Sequence, residues 1–267
     1  MPTPVIIDTD PGVDDIVALL YALASPEIEI LAIIISFGEE YRCRCFILIG
    51  QSNNVLKLFN ALARHFEDFP EDRKRFPNFD SKPLLARGAP GPLEGALHSA
   101  QYFHGRDGLG DISNRHPDIG TGSGSDYLRI SDRLGYELAL ELIRAHPPRT
   151  ITYVALGPLT NLALMARQDP VACRSRLGRV VAMGGALDVP GNTSPVAEFN
   201  FFADPYAVKE LLIDAALTGT GTVNSTGIPL SRFLLLPLDI TTPHELPFPL
   251  YAERVDPFFE TPGAPGG

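Results

Sequence analysis

The sequence predicts a three-layer α/β domain with a mostly parallel sheet. Runs of β-branched and leucine residues alternate with amphipathic helical segments from Val5 to Ile240. The strand–helix–strand order from Val5 to Ser36 is typical of a right-handed parallel unit. A chain of 267 residues is also long enough to build one large core. We therefore expect a single domain over residues 1–255, followed by a Pro/Gly-rich, disordered tail over 256–267.

The first strand should cover Val5–Ile7, and a Pro-Gly turn should separate it from a helix that starts near Asp14. Asp204 followed by Pro205 indicates a later helix start, because Asp suits the N-cap and Pro the first turn. Further strands are expected at 28–36, 83–87, 151–156, 180–183 and 233–240. Further helices are expected at 53–66, 93–100 and 135–146, and up to residue 167. A surface excursion is expected at 67–82 and loops at 112–130 and 218–227.

Four carboxylates lie within eight residues at the end of the first strand: Asp8, Asp10, Asp14 and Asp15. Parallel α/β sheets bind ligands outside the carboxyl ends of their strands, so this is a favourable place for chemistry. Capping and the helix dipole account for one or two of these acids. The remaining charges repel one another unless a cation neutralises them, and oxygen ligands favour Ca²⁺ or Mg²⁺ over zinc. The stretch therefore predicts a metal site.

The overall composition excludes several classes of protein. A net charge of −10 without a basic stripe argues against binding to nucleic acid. The apolar run 30–37 is too short to span a bilayer, and no signal-peptide pattern precedes the first strand. Three cysteines with irregular spacing fit neither a disulfide framework nor a zinc site. We expect a cytoplasmic protein that binds neither membranes nor nucleic acid.

Polar residues also follow the later strands. A glycine-rich loop begins at His104, and Asn192, Glu198 and Asn200 lie among phenylalanines after the strand at 180–183. Such side chains can grip sugar hydroxyls, because they donate or accept directional hydrogen bonds. The alternative is that Glu198 and Asn200 only satisfy backbone groups of their loop.

With these residues in place, the chain resembles the inosine–uridine-preferring nucleoside hydrolase family, which has a Rossmann-like core. The opening motif Asp8-Thr9-Asp10-Pro11-Gly12-Val13-Asp14-Asp15 is the most specific match. The other matching motifs, which follow in family order, lie at 104–110, 155–162, 184–200 and 237–241.

The resemblance implies hydrolysis of the N-glycosidic bond of uridine- or inosine-type ribonucleosides by a Ca²⁺-activated water, giving ribose and free base. It implies that Asp10 is both a Ca²⁺ ligand and the general base, and that Asp15 and the Leu156 carbonyl complete the metal site. The implied ribose-binding residues are Asp14, Asn192, Glu198 and Asn200, and His104 would lie near the base. The family also suggests a homo-oligomer, either a dimer or a tetramer.

The chain departs from the family pattern at two places. Glu39 stands near the position of a family asparagine that contacts the sugar, in a stretch that matches poorly. The family also has a late His-Asp pair, for which His244-Glu245 follows the last predicted strand too early. One alternative is therefore a C-terminally truncated member that folds poorly or binds nucleosides without hydrolysing them. A more remote alternative is a Mg²⁺-dependent phosphatase of the haloacid-dehalogenase type, whose further motifs are not visible.

Overall fold

The computed structural model describes residues 1–37, 44–98, 104–122, 124–213 and 228–254. Glu39, the loop expected at 218–227 and the tail expected at 256–267 lie outside these residues. Within these residues, seven strands form one sheet in the order β4-β3-β2-β1-β5-β6-β7, and all the pairings are parallel. The strands are β1 Thr3–Thr9, β2 Ile28–Ile35, β3 Leu84–Arg87, β4 Arg129–Ile130, β5 Thr152–Ala155, β6 Arg179–Met183 and β7 Phe233–Leu236. The predicted parallel α/β fold is confirmed.

Helices connect and cover the strands. They are α1 Val13–Ala24, α2 Arg44–Asp68, α3 Ile112–Arg115, α4 Gly135–Ala145, α5 Thr160–Gln168, α6 Pro170–Arg176, α7 Phe199–Ala203, α8 Pro205–Val208, α9 Leu238–Thr241 and α10 Phe248–Arg254. Asp204 caps α8 by accepting a hydrogen bond from the Ala207 backbone, as expected from the Asp-Pro pair. Within the described residues, no helix combines the length and apolar character needed to cross a membrane.

The core has two parts, one on each face of the sheet. Successive side chains of a strand point to opposite faces, so Ile6 packs in one cluster and Val5 and Ile7 pack in the other. Residues of α1 and α2 belong to the second cluster, whereas those of α4, α5 and α6 belong to the first. This arrangement of helices on both faces is the expected three-layer architecture.

Two segments predicted as surface or loop contribute to the fold. Phe79, within the supposed surface excursion, is fully buried and stacks on Phe59 with ring centroids 5.6 Å apart. The segment 112–130 contains the edge strand β4, and Leu128 beside it is buried. Both predictions hold for most of each segment and were wrong at these residues, because charge, Pro and Gly content does not reveal a single buried apolar side chain.

Two element assignments also differ from the prediction. The last strand ends at Leu236, because Pro237 cannot donate to a strand ladder, and α9 follows it. Residues 93–98 of the helix expected at 93–100 are not helical, and Gly95 has a φ of +95°. Helix α6, which the sequence reading missed, begins with Asp169 capping the Ala172 backbone and with Pro170 in its first turn.

Candidate active site

The candidate site lies where the strand order reverses. Strands β1 and β5 are neighbours in the sheet although β2, β3 and β4 separate them in sequence. Parallel sheets bind ligands in the crevice outside such a switch point. A cavity of ≈ 350 Å³ opens there, and every predicted site residue lines it: Asp10, Asp14, Asp15, His104, Leu156, Asn192, Glu198 and Asn200.

The acid turn, residues 10–15, joins β1 to α1. Asp15 is 6% exposed, and it accepts hydrogen bonds from the Thr9 hydroxyl at 2.5 Å and the Gly12 backbone at 3.1 Å. Burial, followed by repulsion from Asp14, raises the pKa of Asp15 from 3.8 to about 7. A nearby positive charge would stabilise the ionised form of this carboxylate, because burial leaves that form poorly solvated.

Asp10 lies beside the start of the next loop. It is 7% exposed, and a Cβ atom added to Gly157 would come within 2.7 Å of its Oδ1 atom. Glycine is therefore required where the loop after β5 passes the Asp10 carboxylate. Leu156, the residue before this glycine, lines the same cavity.

Asp8 is the acid of the opening motif that turns away from the cavity. Strand alternation places it on the same face as Ile6, where Ser36 and Tyr153 donate to it at 2.7 Å and Asn161 at 3.0 Å. Burial raises its pKa from 3.8 to about 6, although these hydrogen bonds act in the opposite direction. Asp8 therefore has protein partners of its own, and three acids rather than four face the cavity from this motif.

Glu198 and Asn200 at the start of α7 organise the opposite wall. The Glu198 carboxylate accepts hydrogen bonds from the backbones of Gly185, Asn200 and Phe201 at 2.8–3.1 Å. The Asn200 amide donates to the carbonyls of Leu156 at 2.7 Å and Met183 at 3.2 Å. Both side chains therefore satisfy backbone groups, as the alternative in the sequence reading supposed, and both also line the cavity.

Two further predicted residues are positioned by local contacts. The Asn192 side-chain oxygen accepts from the Phe199 backbone at 3.0 Å, which ties its loop to the start of α7. His104 lies against Gly12: its Nδ1 accepts from the Val13 backbone at 3.4 Å and its Nε2 is 3.7 Å from an Asp14 oxygen. His104 therefore lies at the rim of the acid turn although it is 89 positions from Asp15 in the sequence.

The structure adds residues that the sequence reading did not assign to the site. Thr241, Thr242 and Glu245 line the cavity, because the short helical turns after β7 bring the chain back towards it. Glu245 could have been found from its position shortly after the last strand. The sequence placed the end of that strand at Ile240 and not at Leu236, so Glu245 was expected to follow the strand too closely to reach the site. With Asp10, Asp14, Asp15 and Glu198, it makes five carboxylates in the wall, and none of the described residues in the wall is Lys or Arg.

The donors of the site fit a hard cation by type. Asp10 and Asp15 offer buried carboxylates and Leu156 a carbonyl oxygen, all of them ligands that Ca²⁺ prefers. Among the described residues, however, no three or more His, Cys, Asp or Glu side chains are grouped to hold a metal ion. The fit to a hard cation therefore rests on the type of these donors and not on a complete ligand group.

A larger cavity of ≈ 460 Å³ lies on the other side of Glu198. Apolar and aromatic side chains, including those of Phe201, Phe202 and Val196, form most of its wall. Because the carboxylates converge in the smaller cavity, that cavity is the candidate active site.

Comparison with known proteins identifies the family of the chain. The model of the family "Inosine-uridine preferring nucleoside hydrolase" matches residues 5–261. The inosine-uridine preferring nucleoside hydrolase of Leishmania major is 36% identical over 207 residues, which cover 78% of this chain and 56% of that protein. The pyrimidine-specific ribonucleoside hydrolase of Salmonella paratyphi C is 32% identical over 97% of this chain and 72% of its own length.

Solved structures of the same kind share the fold. An inosine-guanosine nucleoside hydrolase superposes with a TM-score of 0.66 at 27% identity, covering 94% of this chain and 66% of the other. A plant nucleoside hydrolase superposes with a TM-score of 0.60 at 29% identity, covering 91% and 62%. The chain spans 56–62% of the length of relatives such as the Leishmania protein and a probable uridine nucleosidase of Arabidopsis thaliana. With its matching motifs, fold and cavity, the chain belongs to the inosine-uridine preferring nucleoside hydrolase family.

Proposed function

We propose that this chain hydrolyses the N-glycosidic bond of uridine- or inosine-type ribonucleosides to ribose and free base. The convergence of Asp10, Asp15, the Leu156 carbonyl, Glu198 and Asn200 on one cavity carries the proposal. Relatives described as uridine or inosine-uridine hydrolases support the substrate class. Membership of this family leaves the phosphatase alternative without support.

The donor set favours Ca²⁺ held by Asp10, Asp15 and the Leu156 carbonyl. When bound there, Ca²⁺ would supply positive charge that makes a neighbouring water more acidic. The raised pKa of Asp15 supports a cation at this place, because a positive charge would relieve both its burial and its repulsion from Asp14.

The residues of the chain then have distinct roles. Asp10 accepts a proton from water as the water oxygen bonds to the anomeric carbon. The carbon–nitrogen bond breaks and its electron pair leaves with the base. The base then takes up a proton from the solvent, and Asp10 returns its proton to the solvent. Positive charge develops on the ribosyl ring, and the carboxylates of Asp14 and Glu198 in the cavity wall stabilise it.

The remaining polar side chains select the substrate. Asn192 and Asn200, together with the two carboxylates, hold ribose hydroxyls, which present both donors and acceptors. His104 at the rim lies beside the leaving base. The wall is held by hydrogen bonds to backbone atoms, so it is formed before the substrate arrives.

The test is release of free base from uridine and inosine by the purified chain, with Ca²⁺ and with a chelator. Turnover that requires Ca²⁺ and is lost in Asp10→Asn would support the proposal. Tight binding of nucleoside without release of base would favour the non-catalytic alternative. Absence of both binding and turnover in a folded protein would overturn the proposed function. The cytoplasmic location and the dimer or tetramer remain predictions.

A further inference from the structure

Asn54 on α2 joins the two loops that form one side of the site. Its side chain is 2% exposed, and its Nδ2 atom donates to the Pro11 carbonyl at 3.1 Å and to the Asp107 carbonyl at 2.9 Å. The first carbonyl belongs to the acid turn and the second to the glycine-rich loop that begins at His104. A single buried amide therefore holds two segments that are distant in sequence.

The glycine-rich loop is a compact unit, so holding Asp107 also holds His104. The Asp107 carboxylate accepts from the backbones of Leu109, Asp111 and Ser113 at 2.8–2.9 Å. The Gly110 backbone donates to the His104 carbonyl at 2.7 Å, which closes the loop onto its first residue. A displacement of the Asp107 carbonyl is thereby passed to His104 through short hydrogen bonds.

The space between His104 and the acid turn is narrow. A Cβ atom at Gly12 would lie 3.1 Å from three atoms of the His104 ring, and the ring nitrogens contact the Val13 backbone and Asp14. The contact between His104 Nε2 and Asp14 is 3.7 Å long, and both side chains are partly exposed. Such a contact is weak by itself.

We propose that Asn54 is a positioning residue that fixes His104 against the acid turn. Its amide has two N–H donors, which match the carbonyls of Pro11 and Asp107. The consequence for nucleoside binding rests on the proposed function, whereas the link between the two loops does not.

Asn78 provides a matched control. Its Nδ2 atom also donates to two carbonyls, those of Ala22 at 3.1 Å and Ser25 at 2.7 Å, and it is 6% exposed. These carbonyls lie at the far end of α1 from the site. Asn54→Ala and Asn78→Ala thus remove the same group and the same number of hydrogen bonds, with only the first change next to the site.

Backbone hydrogen exchange tests the link in the full chain without substrate. Asn54→Ala should speed exchange of residues 104–113 by roughly tenfold, the effect of losing about one net hydrogen bond, and Asn78→Ala should leave that segment unchanged. The NMR signal of the His104 ring is identified as the one missing in His104→Ala. Its chemical shift should change in Asn54→Ala and not in Asn78→Ala. Unchanged exchange and ring signal in Asn54→Ala, or equal changes in both variants, would overturn the proposal. Asn54→Ser, too short to reach both carbonyls, replaces the Ala variant if that variant does not fold.

Uridine affinity tests whether the link acts through His104. Asn54→Ala should weaken binding about as much as His104→Ala, and the double variant should bind no more weakly than His104→Ala alone. If the losses of uridine affinity in the two single variants multiply in the double variant, Asn54 does not act through His104. If the parent chain binds no uridine, the proposed function fails, while exchange and the ring signal still decide the role of Asn54.

Discussion

The buried carboxylate of Asp8 allows a quantitative prediction about stability. Tyr153 is fully buried, and its hydroxyl donates to Asp8 Oδ2 at 2.7 Å, whereas Ser36 and Asn161 donate to Oδ1. Tyr153→Phe removes one hydroxyl and changes little else in the packing. The variant therefore isolates a single hydrogen bond to a buried acid.

The size of the effect should depend on pH. Burial raises the pKa of Asp8 from 3.8 to about 6, so the carboxyl group is mostly protonated at pH 5 and ionised at pH 8. A neutral hydrogen bond contributes about 0.5–1.5 kcal/mol and one to a charged group about 1.5–3 kcal/mol. We expect Tyr153→Phe to lower the free energy of unfolding by about 1 kcal/mol at pH 5 and by about 2 kcal/mol or more at pH 8.

Proton linkage gives the direction in which the free energy of unfolding changes with pH. The folded protein binds the Asp8 proton more tightly than the unfolded chain does, so this contribution to stability is present below pH 3.8 and is lost as the pH rises through about 6. Loss of the Tyr153 hydrogen bond raises the folded pKa of Asp8 further. The gap in stability between parent and variant must therefore widen above pH 6.

Urea unfolding at both pH values, with a chelator present, measures this difference. Tyr136→Phe is the control, because that ring packs against the same core cluster, whereas the side chains that hydrogen-bond to Asp8 are those of Ser36, Tyr153 and Asn161. An equal loss in Tyr153→Phe at pH 5 and pH 8, or no loss at pH 8, would refute the assigned charge of Asp8.

Three further predictions concern the cavity. Asp10→Asn should lose on the order of 10²–10⁴-fold in turnover with a smaller change in uridine affinity, and near-normal kcat would contradict its role as general base. Asn200→Ala should weaken nucleoside affinity by roughly tenfold or less, as expected for one net hydrogen bond, and calorimetry with uridine measures this. Ca²⁺ titration should give a dissociation constant weaker than micromolar, because the proposed site supplies two carboxylates, Asp10 and Asp15, while the buried Glu198 carboxylate already accepts from three backbone groups; tighter binding would reveal a further charged ligand.

Local residue patterns were sufficient to predict the main strands and helices of this protein. The β-branched runs of β1 and β2, the Pro-Gly turn and the start of α1 were predicted within a few residues, because each depends on neighbouring side chains. Parallel order follows from strand–helix alternation, and it places residues that follow β1, β5 and β6 at one edge of the sheet. For this reason the sequence, with the family resemblance, determined the candidate site residues.

Tertiary structure decided how those residues are used. The hydrogen bond from Tyr153 to Asp8 joins residues 145 positions apart, and that from Asn54 to Asp107 joins residues 53 apart. The return of Glu245 to the cavity likewise depends on the turns after β7. No local propensity specifies such contacts, because they form only when the sheet and both helical layers pack together. Sequence alone determined that the acids following β1 gather at the switch point; packing determined that Asp8 is sequestered, that Glu245 lines the cavity and that Asn54 holds the two loops together.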